Sequence, residues 1–261
     1  MARATTINNN RFMVTGVDCL RLSLKNSVGA MQLVPDLIEN LLQALASDRT
    51  SRVVILDGIP GSFCEGLDLD SLTQYPAEQT DAGLAMFAQL LAALEKTPRP
   101  VIALVDGQAM GGGVGLVAVA DLVLASSRAS FALPETVMGM IPAVVFPYVA
   151  RRIGIPKARL LALGAKPLSA TAAFQMGLVD EIVDNLESTC GRYIRRFTRM
   201  EPRSIGTMKA LIATHFTAPV GYQVDAVEQL HELLASQETR MRLGRFAAGE
   251  SPWMEENNNG Y

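Results

Sequence analysis

VIALVDGQAMGGGVG, residues 101–115, reads as an apolar strand, a turn at Asp106–Gly107 and a glycine triplet, Gly111–Gly113, followed by a helix from Val114 to about Asp121. Three consecutive glycines raise the conformational entropy that folding must overcome. They suit a place where backbone comes very close to something else. The triplet also precedes a helix N-terminus, where unpaired N–H groups and the macrodipole favour negative charge. Two readings follow: an anion or oxyanion site built from backbone amides, or a tight strand-to-helix turn with close packing. Two other glycine-loop chemistries do not fit. A P-loop needs a lysine after its last glycine, and none follows here; a dinucleotide fingerprint needs a glycine where Ala118 stands.

On both sides of this stretch, strand and helix patterns alternate. Phe12–Leu24 alternates well enough for one or two strands with a turn near Gly16, whereas residues 1–10 look frayed. Leu37, Ile38, Leu41, Leu42 and Leu45 recur at helical spacing within Pro35–Ala46, and Pro35 suits the first turn. SRVVIL, residues 51–56, is a short buried strand, so this β–α–β order predicts a parallel pair with a right-handed crossover. Residues 57–72 are irregular. Leu84–Leu94 is helical and Thr97-Pro-Arg-Pro stops it. Beyond the glycine loop the pattern predicts strands at Leu122–Ala125, Ala129–Leu133 and Leu178–Val183. It predicts helices at Val144–Ile153 and Lys157–Gly164, and a short one capped by Ser169 and ended at Gly177. From Leu186 the chain is helical to about Ala248, broken near Pro202 and Pro219; the tail GESPWMEENNNGY is polar, with disorder expected at its end. The class is therefore α/β, divided into a mixed core, 1–185, and a helical oligomerisation region, 186–261.

Composition narrows the function classes. With 261 residues and 49% hydrophobic content, the chain suits one large soluble globular domain. A net charge of −3 gives no global reason to expect nucleic acid. No apolar run reaches membrane-spanning length and MARATTINNNRF has no signal-peptide core, so no membrane partner and a cytoplasmic location are expected. Cys19, Cys64 and Cys190 show no paired spacing, which argues against a metal or disulfide framework. His215 and His231 fall on polar helix faces, where exposed or packing roles are expected.

Three loop segments follow successive strands: SFCEGLD (62–68), GQAMGGG (107–113) and FALPETVMGMIP (131–142). In this order and spacing the chain resembles the crotonase (enoyl-CoA hydratase/isomerase) superfamily over about residues 12–250. The resemblance implies a spiral of ββα units with a C-terminal helical region, assembled as trimers or hexamers, with no metal or redox cofactor. It also implies an oxyanion hole of two backbone N–H groups, at Glu65 and Gly112, that hold a thioester oxygen as it becomes an enolate. Losing one such fixed donor costs about 3–4 kcal/mol in known cases. Family hydratases use two glutamates. One position is Gly115 here; the other is Glu135, in an apolar pocket expected to include Phe131, Met138 and Ile141.

A subgroup that also has glycine at the first position comprises the dehydratases of polyketide β-branching cassettes. SFCEGLDLDSL, GMIPAVVFPYVARRIG, KPLSATAAFQMGLVD and FAAGESPW resemble it. That resemblance implies syn loss of water from 3-hydroxy-3-methylglutaryl carried on the phosphopantetheine of an acyl carrier protein or CoA, giving 3-methylglutaconyl, in antibiotic biosynthesis. A decarboxylase of the same fold would act next. Glu135 would take the α-proton and return it to the departing hydroxyl, with Asp68 the nearest candidate for a second group. Asp68 could equally cap a helix starting near Leu69. Arg151, Arg152, Lys157 and Arg159 form a candidate basic patch for the acidic carrier protein. A Δ3–Δ2 enoyl-CoA isomerase, which needs only one glutamate, fits the same pattern; a decarboxylase, or a silent scaffold subunit, fits it less well.

Overall fold

The computed structural model describes residues 5–8, 11–14, 17–68, 77–215 and 221–251. In chain order the strands are β1 (Thr5–Asn8), β2 (Arg11–Val14), β3 (Val17–Ser23), β4 (Gln32–Leu33), β5 (Val53–Asp57), β6 (Ser62–Cys64), β7 (Gly66–Leu67), β8 (Val101–Val105), β9 (Gln108–Met110), β10 (Leu122–Ala125), β11 (Ser130–Ala132), β12 (Leu168–Ser169) and β13 (Glu181–Ile182). The helices are α1 (Pro35–Ser47), α2 (Ala77–Lys96), α3 (Gly112–Val119), α4 (Phe146–Ile153), α5 (Ile155–Gly164), α6 (Ala170–Met176), α7 (Leu186–Phe197), α8 (Pro202–His215), α9 (Tyr222–Ala235) and α10 (Gln237–Ala247), with a 3-10 turn at Glu135–Met138.

β8 lies inside a seven-stranded sheet ordered β1-β2-β3-β5-β8-β10-β13. The first three strands are antiparallel, and from β3 onward every pairing is parallel. All five residues of β8 are buried, because the sheet is covered on both faces. Val54, Leu56, Val101, Ala103 and Val105 face the main core with α1, α2 and α3. Val53, Ile55, Ile102 and Leu104 face Cys190 and Ile194 of α7. That double burial is why these strands read as unbroken apolar runs rather than alternating ones.

A second, four-stranded sheet, β12-β11-β9-β6, stands beside the first. β6, β9 and β11 each follow a long strand, β5, β8 and β10, and they pair with one another in parallel. Each winding therefore adds one long strand, one short strand and a helical element, which is the expected ββα spiral. Where the short strands end, the chain turns into the loops that build the site.

Several expectations shift. Thr5–Asn8 is not frayed; it closes the edge of the large sheet against β2, Thr5 opposite Met13. The glycine helix starts at Gly112 and stops at Val119, since the Asp121 N–H donates to the Val101 carbonyl at 2.9 Å instead of continuing the helix. The last expected strand shortens to Glu181–Ile182. The expected disorder at the end of the tail, and the helix that Asp68 was expected to cap, lie outside the described residues. The C-terminal helices fold back on their own chain. Lys209 of α8 is buried and its Nζ reaches Asp121 Oδ2 at 2.5 Å and the Arg99 carbonyl at 3.1 Å. Leu230 packs with Leu84, Met138, Met140 and Leu243, and Leu234 rests against the same cluster, so this is not a free apolar face. No described helix is long and apolar enough to cross a membrane.

Candidate active site

The glycine triplet leaves β9 at Gly111, whose φ of +49° turns the chain into α3. The Gly111 N–H donates to the Ala132 carbonyl at 2.9 Å, so this amide is committed to β11. Gly112 is the first residue of α3, so its N–H has no partner within the helix. Its missing side chain serves packing: a Cβ there would come within 2.9 Å of Leu33 Cδ1 and 3.2 Å of Phe87 Cζ. The space beside Gly112 is thus filled by core side chains. The triplet is a closely packed turn, with the Gly112 amide at the helix start.

The opposite wall is the segment 65–68. The Glu65 N–H donates to the Met31 carbonyl at 2.8 Å. It belongs to the contact with the β4 segment and is not available to a ligand, which corrects the assignment of Glu65 as an oxyanion donor. The Gly66 N–H turns back to the Cys64 sulfur, and the Asp68 N–H reaches the Leu33 carbonyl at 3.3 Å. Cys64 lies fully buried beneath the loop, where burial pushes its thiol up to about 12. It is therefore no thiolate nucleophile at neutral pH.

Glu135 opens the 3-10 turn after β11, and its carbonyl accepts the Met140 N–H at 2.9 Å to close that turn. The residue as a whole is half-buried. Its carboxyl is not accessible in the same way: Oε2 is out of solvent and has no hydrogen-bond partner. A Cβ on Gly111 would lie 3.1 Å from Glu135 Oε1, so the carboxyl lies close over the glycine loop. Desolvation raises its pKa from 4.5 to about 7, opposed only by a hydrogen bond from its own backbone. That value suits a general acid–base at neutral pH.

These parts meet around a cavity of about 120 Å³. Leu67, Leu84, Phe87, Met138, Met140, Ile141, Val144, Val145, Leu230 and Phe246 line it, and Glu65 and Glu135 are its charged lining residues. Met138 and Ile141 stand where expected. Phe131 does not; it is wholly buried under β11 in the main core. Asp68 is not among the lining residues either. Two features were not anticipated. Val145 fills the space that a side chain at Gly115 would need: a Cβ on Gly115 would lie 2.4 Å from Val145 Cγ1. The roof comes from α9 and α10, through Leu230 and Phe246. The GMIPAVVFP motif signalled the family but not that packing.

The expected basic patch is largely committed elsewhere. Arg151 pairs with Glu95. Arg152 donates to the carbonyls of Leu178 and Ala120 at 2.8 Å each and pairs with Asp180 at 2.5 Å. Lys157 donates to the Met176 carbonyl at 3.1 Å. His231 meets Asp81 at 2.9 Å, tying α9 to α2. A second, polar cleft lies at the C-terminal ends of the parallel strands, where Arg21 pairs with Asp57 and Glu187 at 2.5 Å and Arg128 with Asp106 at 2.6 Å.

The sequence model of the enoyl-CoA hydratase/isomerase family matches residues 20–256. The chain is 29% identical over 223 residues to the bacillaene synthase dehydratase PksH of Bacillus subtilis (strain 168), covering 83% of this chain and 86% of that protein. It is 30% identical over 220 residues to the 1,2-epoxyphenylacetyl-CoA isomerase of Escherichia coli (strain K12), covering 81% of this chain and 84% of that one. The crystal structure of a polyketide biosynthesis enoyl-CoA hydratase (pksH) from Bacillus subtilis superposes with a TM-score of 0.80 at 26% identity, covering 89% of this chain and 94% of that one. With a family match over nearly its whole length and a fold shared with solved relatives, this chain belongs to the enoyl-CoA hydratase/isomerase family, the crotonase superfamily.

Proposed function

We propose that the protein is a one-carboxylate dehydratase of 3-hydroxyacyl thioesters in polyketide β-branching, acting on 3-hydroxy-3-methylglutaryl held on the phosphopantetheine of an acyl carrier protein. One observation carries this reading: Glu135 presents a desolvated carboxyl to the cavity, while Val145 fills the space that a side chain at Gly115 would need. The relative's description as a bacillaene synthase dehydratase supports the reaction type.

The thioester oxygen lies between the Gly112 N–H and a second amide. Leu67 supplies that second amide: its neighbours Glu65, Gly66 and Asp68 have theirs committed, and Leu67 lines the cavity. The Glu135 carboxylate takes the α-proton, and the electron pair left on the α-carbon delocalises onto the thioester oxygen as an enolate. Collapse of the enolate forms the α,β double bond and breaks the bond to the 3-hydroxyl. That hydroxyl leaves as water with the proton from Glu135, so the carboxylate is regenerated. Syn geometry lets one group serve both steps. The same reading has the chain self-associate as a trimer or hexamer, with a same-fold decarboxylase taking its product.

A second reading, a Δ3–Δ2 enoyl thioester isomerase, gains from the lining itself. No described residue around the cavity is a cation that could pair with the distal carboxylate of the glutaryl group. One experiment separates the two. Incubation with 3-hydroxy-3-methylglutaryl carrier protein should give an ~18-dalton loss by mass spectrometry, the mass of one water lost in the acid–base elimination. An intact substrate, with a 3-enoyl thioester converted to its 2-enoyl isomer, would establish the isomerase instead.

A further inference from the structure

The turn that carries Glu135 is gripped from behind by the C-terminal helix. Thr239, buried in the first turn of α10, donates its hydroxyl to the Gly139 carbonyl at 3.1 Å and accepts from Ser236 Oγ at 2.9 Å. The two segments touch so closely that a Cβ on Gly139 would lie 2.7 Å from Thr239 Oγ1. Arg242 donates to the Val137 carbonyl at 3.3 Å and is steadied by Glu238 at 2.7 Å. Leu243 completes the seam against Met138 and Met140. All these contacts fall on residues just after Glu135.

Such a grip has work to do. A 3-10 turn of four residues has poor hydrogen-bond geometry and little rigidity of its own. Among the described residues, no other residue's polar group fixes the reactive end either: its one hydrogen bond comes from its own backbone, and Glu135 Oε2 has no partner. The depth of the carboxyl in the cavity is therefore set by where the turn is held. We infer that Thr239 and Arg242 are positioning residues, which make the C-terminal helix part of the catalytic apparatus by fixing how far the Glu135 carboxyl reaches into the apolar cavity. Glu65 is the other charged residue lining that cavity, and Arg242 and Glu238 flank the turn from the α10 side.

Thr239→Val keeps the shape and removes the donor. Two readouts test it in the full-length protein: ¹³C NMR titration of the Glu135 carboxyl, and steady-state kinetics on the thioester substrate. In Thr239→Val the carboxyl midpoint should fall from about 7 toward 4.5 as water reaches it. The kcat should drop about tenfold to a hundredfold with KM little changed, as for a group displaced by about 1 Å. Thr239→Ser should restore both. If Thr239→Val does not fold, Arg242→Met, which loses the hold on Val137, should move the titration the same way. A wild-type titration curve in these variants would overturn the inference. It rests on Glu135 being the base, and that reading fails separately: Glu135→Gln would then exchange α-protons at the wild-type rate. The titration reports the grip whether or not substrate turns over.

Discussion

The unfolded chain releases the Glu135 proton near 4.5 and the folded chain near 7, because apolar side chains replace water around the carboxyl. Between those values folding retains a proton that the unfolded chain has lost. The site therefore lowers stability progressively as pH rises from 4.5 to 7, by roughly 3 kcal/mol at and above pH 7. Glu135→Gln carries no such charge. Its stability should match wild type near pH 4 and exceed it near pH 8 by up to that amount, as read by urea denaturation across the range; a constant difference would show that the carboxyl is hydrated. Gly115 offers a second test at this scale. Gly115→Ala should lose about 1–3 kcal/mol through overpacking against Val145, and Val145→Ala should recover part of that. Glu135 was legible from its Pro-Glu context. Val145 was not, because its contact with Gly115 joins distant positions that no local pattern couples.

At the scale of elements, the parallel strands of the large sheet could be read from their apolar runs, whereas the glycine helix starts two residues before the Val114 that the sequence indicated. The short strands β4 and β7 could not be read; two residues are too few for a period to show. That hidden pairing is what directs the Glu65 amide to Met31. Gly112→Val should lose about 1–3 kcal/mol of stability, since its side chain meets Leu33 and Phe87. Urea denaturation beside activity checks this. A fully stable but inactive Gly112→Val would mean the glycine serves the ligand and not the packing.

For the whole molecule, the mixed half and the helical half were legible from composition, but not their interlock. Arg152 reads as one of four surface cations, yet it ties α4 to the ends of two other elements. Arg152→Ala should cost about 2–4 kcal/mol, and the more exposed Lys157→Ala no more than about 1; equal losses in chemical denaturation would contradict the assignment. Large apolar side chains stay exposed on α5, α6 and α8, including Leu160, Leu163, Phe174 and Leu211. They are the faces through which the protein should self-associate, and a monomer by light scattering at micromolar concentration would count against it. All of this architecture serves one claim, that a single carboxyl at Glu135 moves the α-proton of a bound thioester. The direct test is α-carbon deuterium uptake from D₂O, followed with water loss, in wild type and Glu135→Gln. The expected result is that both processes fall together in Glu135→Gln by about two to four orders of magnitude, with substrate binding retained. Exchange and dehydration at the wild-type rate would contradict the central claim.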